Sequence, residues 1–136
     1  MKEIESFISN WEETDSKTKQ AFIELLEHLQ KMDNITLEFN ARPGITYSLR
    51  PKHNSQTDRT LFAMVDVIDD DPKEKWLSVC FYGDMISDPD EMGDLIPDGL
   101  LGDDGHCFDI YEYESSEVEY LKKRLDDAYK SAEKSA

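Results

Sequence analysis

The alternation of apolar and polar positions predicts two helices at the start of the chain. Residues 1–13 place apolar side chains at helical spacing, which predicts a short amphipathic helix, with residues 1–15 as a peripheral element that docks on the core or on another chain. Residues 17–32 repeat this spacing more strongly, and a second helix is expected there. Its apolar face consists of Phe22, Leu25, Leu26, Leu29 and Met32.

The period then changes from 3.6 to 2, which is typical of strands. Strands are predicted over 35–41, 44–50, 59–69 and 76–83. The first two are expected to form a hairpin, and the fourth is apolar on both faces, which favours a central position in the sheet. Residues 51–58 are predicted to be a polar loop, and Pro72 is predicted to lie at a turn.

Residues 84–105 contain no Lys or Arg but four of the six glycines, so turn and loop structure is expected there. The glycines at 99, 102 and 105 predict an ordered, Ω-like loop rather than a slack linker. Leu100 and Leu101 are expected to be tucked under this loop, while Asp103 and Asp104 stay in contact with water.

The last part of the chain predicts a fifth strand and a helix. Residues 106–114 alternate with Phe108 and Ile110 towards the core, and this strand could lie at an edge of the sheet. A capping box of Ser116 and Glu119 opens a helix expected to extend to about residue 131, with 132–136 frayed.

This order of elements predicts an α+β fold for residues 1–136 as a single domain. We expect a mainly antiparallel sheet of four to five strands, with two N-terminal helices and one C-terminal helix packed on one face.

The charge distribution limits the classes of partner. Residues 1–65 carry eight Lys or Arg and ten Asp or Glu, whereas residues 66–136 carry seven and 21, so nearly all of the net charge of −16 lies in the second half. This field repels phosphate backbones and anionic lipids, so neither nucleic acid nor membrane is an expected partner. Cations and basic protein surfaces remain compatible with it.

Three features predict a cytoplasmic protein. No window approaches the roughly 18 apolar residues that cross a bilayer, and the first residues lack the basic-then-apolar order of a signal peptide. Cys80 and Cys107 are far apart in a chain of 136 residues, so both are expected to be structural free thiols.

The candidate chemical motifs are incomplete. Residues 88–94 resemble the opening of a calcium loop, but Met92 and Gly99 stand where oxygen ligands are required. No metal site is therefore predicted, although Asp88, Asp90 and Asp94 could contribute to a looser divalent-cation site. No phosphate-binding loop or other cofactor motif is present, and no cofactor is expected.

Cysteine catalysis and zinc binding are disfavoured by geometry. His106 and Cys107 are adjacent in a predicted strand, so their side chains point to opposite faces and cannot readily share a metal or a proton.

A basic patch within eighteen residues of sequence allows two interpretations. It could bind an anion, or it could pair with the acidic segment of the same chain, which we favour. Its members are Arg42, Arg50, Lys52 and Arg59, with His53 beside them.

The segments "GITYSLR", "LFAMVDVI" and "WLSVCFY", followed by a strand and a helix, resemble small uncharacterised bacterial domains of the YdhG type and, more distantly, of the MmcQ/YjbR type. The similarity covers about residues 17–131 and lies in the pattern of elements rather than in a specific motif. The second group is sometimes described as DNA-binding, but the acidic segment 84–105 argues against carrying that property over, and no site residue is carried over.

Three functions remain open from the sequence. The leading hypothesis is a non-enzymatic interaction module that presents the acidic loop 84–105 to a basic protein partner. The alternatives are a small-ligand or divalent-cation domain that uses the same loop, and an enzyme with Cys107 or His106 at the loop mouth. The candidate binding residues are Asp103, Asp104, His106, Asp109, Tyr111 and Tyr113.

Overall fold

The computed structural model describes residues 2–71 and 73–134, so the predicted turn at Pro72 and the last two residues lie outside the described residues. The described residues contain three helices: α1 (Lys2–Asn10), α2 (Thr18–Gln30) and α3 (Ser115–Lys134). The strands are β1 (Ile35–Arg42), β2 (Thr46–His53), β3 (Met64–Ile68), β4 (Trp76–Tyr82), β5 (Asp94–Leu100) and β6 (Asp103–Ile110). A short 3-10 helix, Gly83–Met85, follows β4.

The strands form one antiparallel sheet in the order β1-β2-β3-β4-β6-β5. The α+β class is confirmed, but the sheet has six strands among the described residues rather than four or five. The additional strand, β5, lies inside the predicted loop 84–105. The last strand is not an edge strand, because β6 lies between β4 and β5.

Several predicted boundaries also require correction. β2 continues to His53, and the segment before β3 is irregular although it buries Leu61 and Phe62. The Phe62 N–H donates to the Pro51 carbonyl (2.9 Å), which holds this segment against β2 without strand geometry. Residues 132–134 are helical rather than frayed, because Ala132 is fully buried against the core.

The hydrophobic core lies between the sheet and the helices. Register places Phe39, Leu49, Val65, Val79 and Phe108 in one row across five strands. These side chains are buried with Phe22 and Leu25 of α2 and with Leu121 and Leu125 of α3. The helix α1 joins the same core, because Phe7 stacks on Tyr47 with ring centroids 4.1 Å apart and Ile4 is buried. It therefore docks on its own chain.

The opposite face of the sheet is polar and carries a disulfide between Cys80 and Cys107. The prediction of two free thiols is wrong, because the pairing of β4 with β6 places these residues directly opposite each other, with Cα atoms 4.1 Å apart. Their separation of 27 residues hides this proximity in the sequence. Since disulfides persist in oxidising compartments, the cytoplasmic location loses the support of free thiols and stays a prediction.

Candidate interaction surface

A tight turn joins β5 to β6 at the end of the sheet. Leu100 pairs with Asp103, and the two residues between them have positive φ, +52° for Leu101 and +90° for Gly102. This is the backbone pattern of a type I′ turn, which favours Asn-Gly. Gly102 adopts it freely, whereas a left-handed leucine costs about 1 kcal/mol. The segment is therefore a β-hairpin rather than an Ω-like loop.

Apolar side chains project from this hairpin into solvent. Among the described residues, six large hydrophobic side chains are exposed, and four of them lie between residues 92 and 101. These four are Met92 (45% exposed), Leu95 (58%), Ile96 (40%) and Leu101 (68%). Both Leu100 and Leu101 are predicted to be tucked under this segment. The prediction is confirmed for Leu100, which is 2% exposed, and wrong for Leu101.

Carboxylates lie in the same segment as these apolar side chains. Asp90, Glu91, Asp94 and Asp98 are exposed and form no ion pair with any described residue. We call these four acids, together with Met92, Leu95, Ile96 and Leu101, the hairpin surface; it includes both faces of β5, because the adjacent residues Leu95 and Ile96 point to opposite sides. It combines apolar area with negative charge that has no neutralising partner in the described chain.

The start of the hairpin is anchored by Asp88. Its carboxylate accepts hydrogen bonds from the N–H groups of Met92 (3.0 Å) and Gly93 (2.9 Å) and from the Tyr120 hydroxyl. A fourth hydrogen bond joins it to His106 Nε2 at 2.7 Å. Burial alone would raise the pKa of Asp88, but these donors together hold it well below its usual range. Asp88 is therefore a structural acceptor that fixes the 88–93 turn to β6 and α3.

Gly93 brings this turn close to β6. A Cβ at this position would lie 2.7 Å from His106 Cδ2 and 2.8 Å from the Phe108 ring. Only glycine allows this close approach, which gives the segment before β5 a fixed path over the core.

The end of the hairpin is anchored by Arg59. Its guanidinium lies 3.9 Å from the centre of the Tyr82 ring and pairs with Asp84 (2.7 Å) and Asp103 (3.3 Å). The hydrogen bond from Arg59 lowers the pKa of Asp84. This clamp fixes the turn end of β6 to the loop before β3, so both ends of the hairpin are held.

The candidate residues predicted for binding do not form one surface. Asp103 pairs with Arg59, and Asp104 accepts a hydrogen bond from the Asp98 N–H (3.0 Å). His106 lies on the helix side of β6, bonded to Asp88. Asp109 lies on the polar face of the sheet. Tyr111 is exposed and stacks on Trp76, with ring centroids 4.8 Å apart. The Tyr113 N–H donates to the Ser16 carbonyl.

The basic patch is also divided. Arg59 pairs with the acidic segment, as favoured from the sequence, while Arg50 pairs with Asp66 at 2.5 Å and Arg42 donates to the Thr46 hydroxyl at 3.1 Å. Arg50 and Lys52 line a groove of about 400 Å³ on the polar face. Leu101 and Glu38 line the same groove, so it is not purely cationic.

The alternative chemistries gain no geometric support. Within residues 2–71 and 73–134, no group of three or more His, Cys, Asp or Glu side chains is arranged to hold a metal ion. The Asp88 oxygens are occupied by donors, Asp90 and Asp94 are exposed, and Cys107 is in the disulfide. His106 and Cys107 lie on opposite faces of β6, as predicted.

Sequence reasoning missed the apolar part of the hairpin surface. Leu95 and Ile96 lie in an acidic segment just before Pro97, and because proline is common in loops the segment was predicted to be a loop. Since proline occurs in sheets mainly on edge strands, the pair followed by Pro97 was a usable signal for β5.

Comparison with protein-family models, curated proteins and solved structures finds no significant match to this chain. The resemblance to domains of the YdhG and MmcQ/YjbR types therefore stays a prediction. In the described part of the chain, none of the helices has the length and apolar character needed to cross a bilayer.

Proposed function

We propose that this protein is a non-enzymatic interaction module whose hairpin surface binds a basic partner protein. The observation that carries this proposal is that, among the described residues, four of the six exposed large hydrophobic side chains lie in one segment with carboxylates that form no ion pair. Exposed apolar side chains concentrated in one segment mark interaction sites more often than singly scattered ones do.

The chemistry of this surface defines its partner. Apolar side chains at 92, 95, 96 and 101 gain affinity when they are buried, while the surrounding acids attract and orient a basic surface. A partner segment with apolar side chains flanked by Lys or Arg therefore matches it. The anchors at Asp88 and Arg59 favour binding, because a hairpin that is already ordered loses little conformational entropy on association.

Binding can be tested with a fluorescently labelled peptide of alternating Lys and Leu as the probe, and with a Glu/Leu peptide of the same length. We expect the basic peptide to bind and the acidic one to fail in fluorescence anisotropy. Replacing Asp90 and Asp94 by Lys should weaken binding about tenfold, a change typical of interfacial charge reversal. These positions are preferable to Asp103, whose reversal would break the Arg59 clamp.

The charge control is the Glu12→Lys, Glu13→Lys variant, which changes the net charge by the same amount on an exposed segment outside the hairpin. Equal loss of affinity in both variants would mean that the peptide senses only net charge, and would contradict the proposal.

The apolar contribution is tested by Leu101→Asn. Asparagine is preferred in a type I′ turn, so this variant should match or exceed the wild-type stability while weakening peptide binding. Ile45→Ser is the matched control, because Ile45 is 57% exposed but lies outside the hairpin. Unchanged affinity in Leu101→Asn would remove Leu101 from the interface.

A further inference from the structure

The strand β1 closes the sheet on the side opposite the hairpin, and no strand covers its outer edge in the described part of the chain. It pairs with β2 through eight consecutive residue pairs without a bulge, from Ile35 with His53 to Arg42 with Thr46. It contains neither proline nor glycine, and its apolar and polar side chains alternate between the two faces of the sheet. Such a long, regular free edge is a template for another strand.

The two edges of the sheet differ in this respect. The edge strand β5 contains Pro97, has a left-handed residue at Asp98 (φ +55°), and loses regular register between Ile96 and Leu100. Each of these features discourages strand addition. β1 has none of them, so the structure protects one edge and leaves the other available.

The free edge of β1 presents unpaired backbone groups at alternate residues. The Asn54 N–H donates to the Asn34 carbonyl (2.7 Å), in line with the β1–β2 register. Because hydrogen-bonding direction alternates along a strand, the N–H and C=O groups of Leu37, Phe39 and Ala41 point away from β2. These three residues offer six backbone hydrogen-bonding groups to a new strand.

We propose that two copies of this chain pair through their β1 strands, antiparallel and about a two-fold axis, to form a continuous twelve-stranded sheet. In the proposed register Asn40 faces Asn40 of the second copy. Phe39 then faces Ala41, so the outward backbone groups of these two residues meet across the axis, while Leu37 lies opposite Pro43, beyond the end of β1.

Charge complementarity favours a second copy as the occupant. The same register places Glu38 opposite Arg42 of the second copy, and symmetry forms this pair twice. A shift by two residues along each strand would instead place Glu38 opposite Glu38, which brings like charges together. Residues 1–65, which contain β1, carry a net charge of only −2, so this edge can approach a copy with little repulsion.

The surroundings of the edge provide room for the partner strand. Two grooves of about 460 and 480 Å³ run between β1 and the start of α1. Leu37, Phe39 and Tyr47 contribute apolar surface to them, and Lys2 and Glu3 line both. The exposed Ala41 side chain of the second copy would approach this space on the helix side of the sheet, while Phe39 stays buried in the core of its own chain.

Sedimentation equilibrium of the full chain over a range of concentrations tests the proposal, with a reversible monomer–dimer equilibrium as the expected result. Ala41→Pro removes an outward N–H that β2 does not use and should make the protein monomeric, with the melting temperature that the wild type shows at dilutions where it is monomeric. Ala41→Ser is the matched control, because it keeps the N–H and should still dimerise.

A charge exchange tests the partner and the register together. Glu38→Arg and Arg42→Glu should each weaken dimerisation about tenfold, because each turns two attractive pairs into repulsive ones. The double variant restores opposite charges with reversed polarity and should recover dimerisation. A chain that stays monomeric at every concentration, a dimer that survives Ala41→Pro, or a double variant no tighter than the single ones would each overturn the proposal.

Discussion

At the scale of single residues, Asp88 shows how a residue that suggests a ligand site can serve the fold. Its oxygens bind donors from β6, from α3 and from its own turn, and its side chain is 10% exposed. The sequence shows an aspartate near other acids, which is compatible with a cation site. Its partners His106 and Tyr120 lie 18 and 32 residues away, so no local period reveals them.

Asp88→Asn should lower the free energy of unfolding at pH 7 by about 2 kcal/mol, because the amide keeps the shape but has one acceptor oxygen for several donors. The folded-state pKa of Asp88 lies below its usual range, so the carboxylate contributes fully above about pH 5 and progressively less as the pH falls. In urea denaturation the gap between wild type and variant should therefore narrow towards acid. A gap independent of pH would contradict this role, and the exposed Asp90→Asn serves as the control.

At the scale of elements, hydrophobic periodicity predicted the helices and strands that are amphipathic and missed the strand that is not. The helices and β1 to β3 each bury one face, so their apolar residues recur at 3.6 or at 2, while β4 is recognised as a nearly continuous apolar run. β5 is exposed at all but its last residue and contains Pro97, so its sequence has the composition of a loop. It is a strand because β6 pairs with it across a two-residue turn, and the Arg59 clamp that holds this turn comes from 44 residues away in the sequence.

The link between β4 and β6 gives a prediction for the disulfide. Closing a separation of 27 residues removes chain entropy from the unfolded state, and the Cys80→Ser, Cys107→Ser variant should lose about 2–4 kcal/mol. Urea denaturation of the wild type with and without a reductant measures the same difference. The double variant should not respond to the reductant, which makes it the control. A wild-type midpoint that is unchanged by full reduction, checked by thiol alkylation and mass, would contradict this contribution.

At the scale of the whole molecule, charge separates the two proposed surfaces. The hairpin surface lies at the β5 edge, within the half of the chain that carries most of the net charge of −16. The β1 edge lies at the other side of the sheet, within the nearly neutral half. A basic partner is therefore drawn to one edge, while a second copy meets the least repulsion at the other, and one molecule can use both.

The same imbalance predicts that salt stabilises the protein. Carboxylates that lack cationic partners repel one another. The distance over which this repulsion acts falls from about 30 Å at 0.01 M salt to about 10 Å at 0.1 M. We expect the melting temperature of the Ala41→Pro variant, chosen so that dimerisation does not contribute, to rise by several degrees as NaCl increases to about 0.3 M. Adding Glu12→Lys and Glu13→Lys reduces the net charge and should make this dependence shallower. A melting temperature that stays constant or falls with salt would mean that ion pairs such as Arg59 with Asp84 outweigh the self-repulsion.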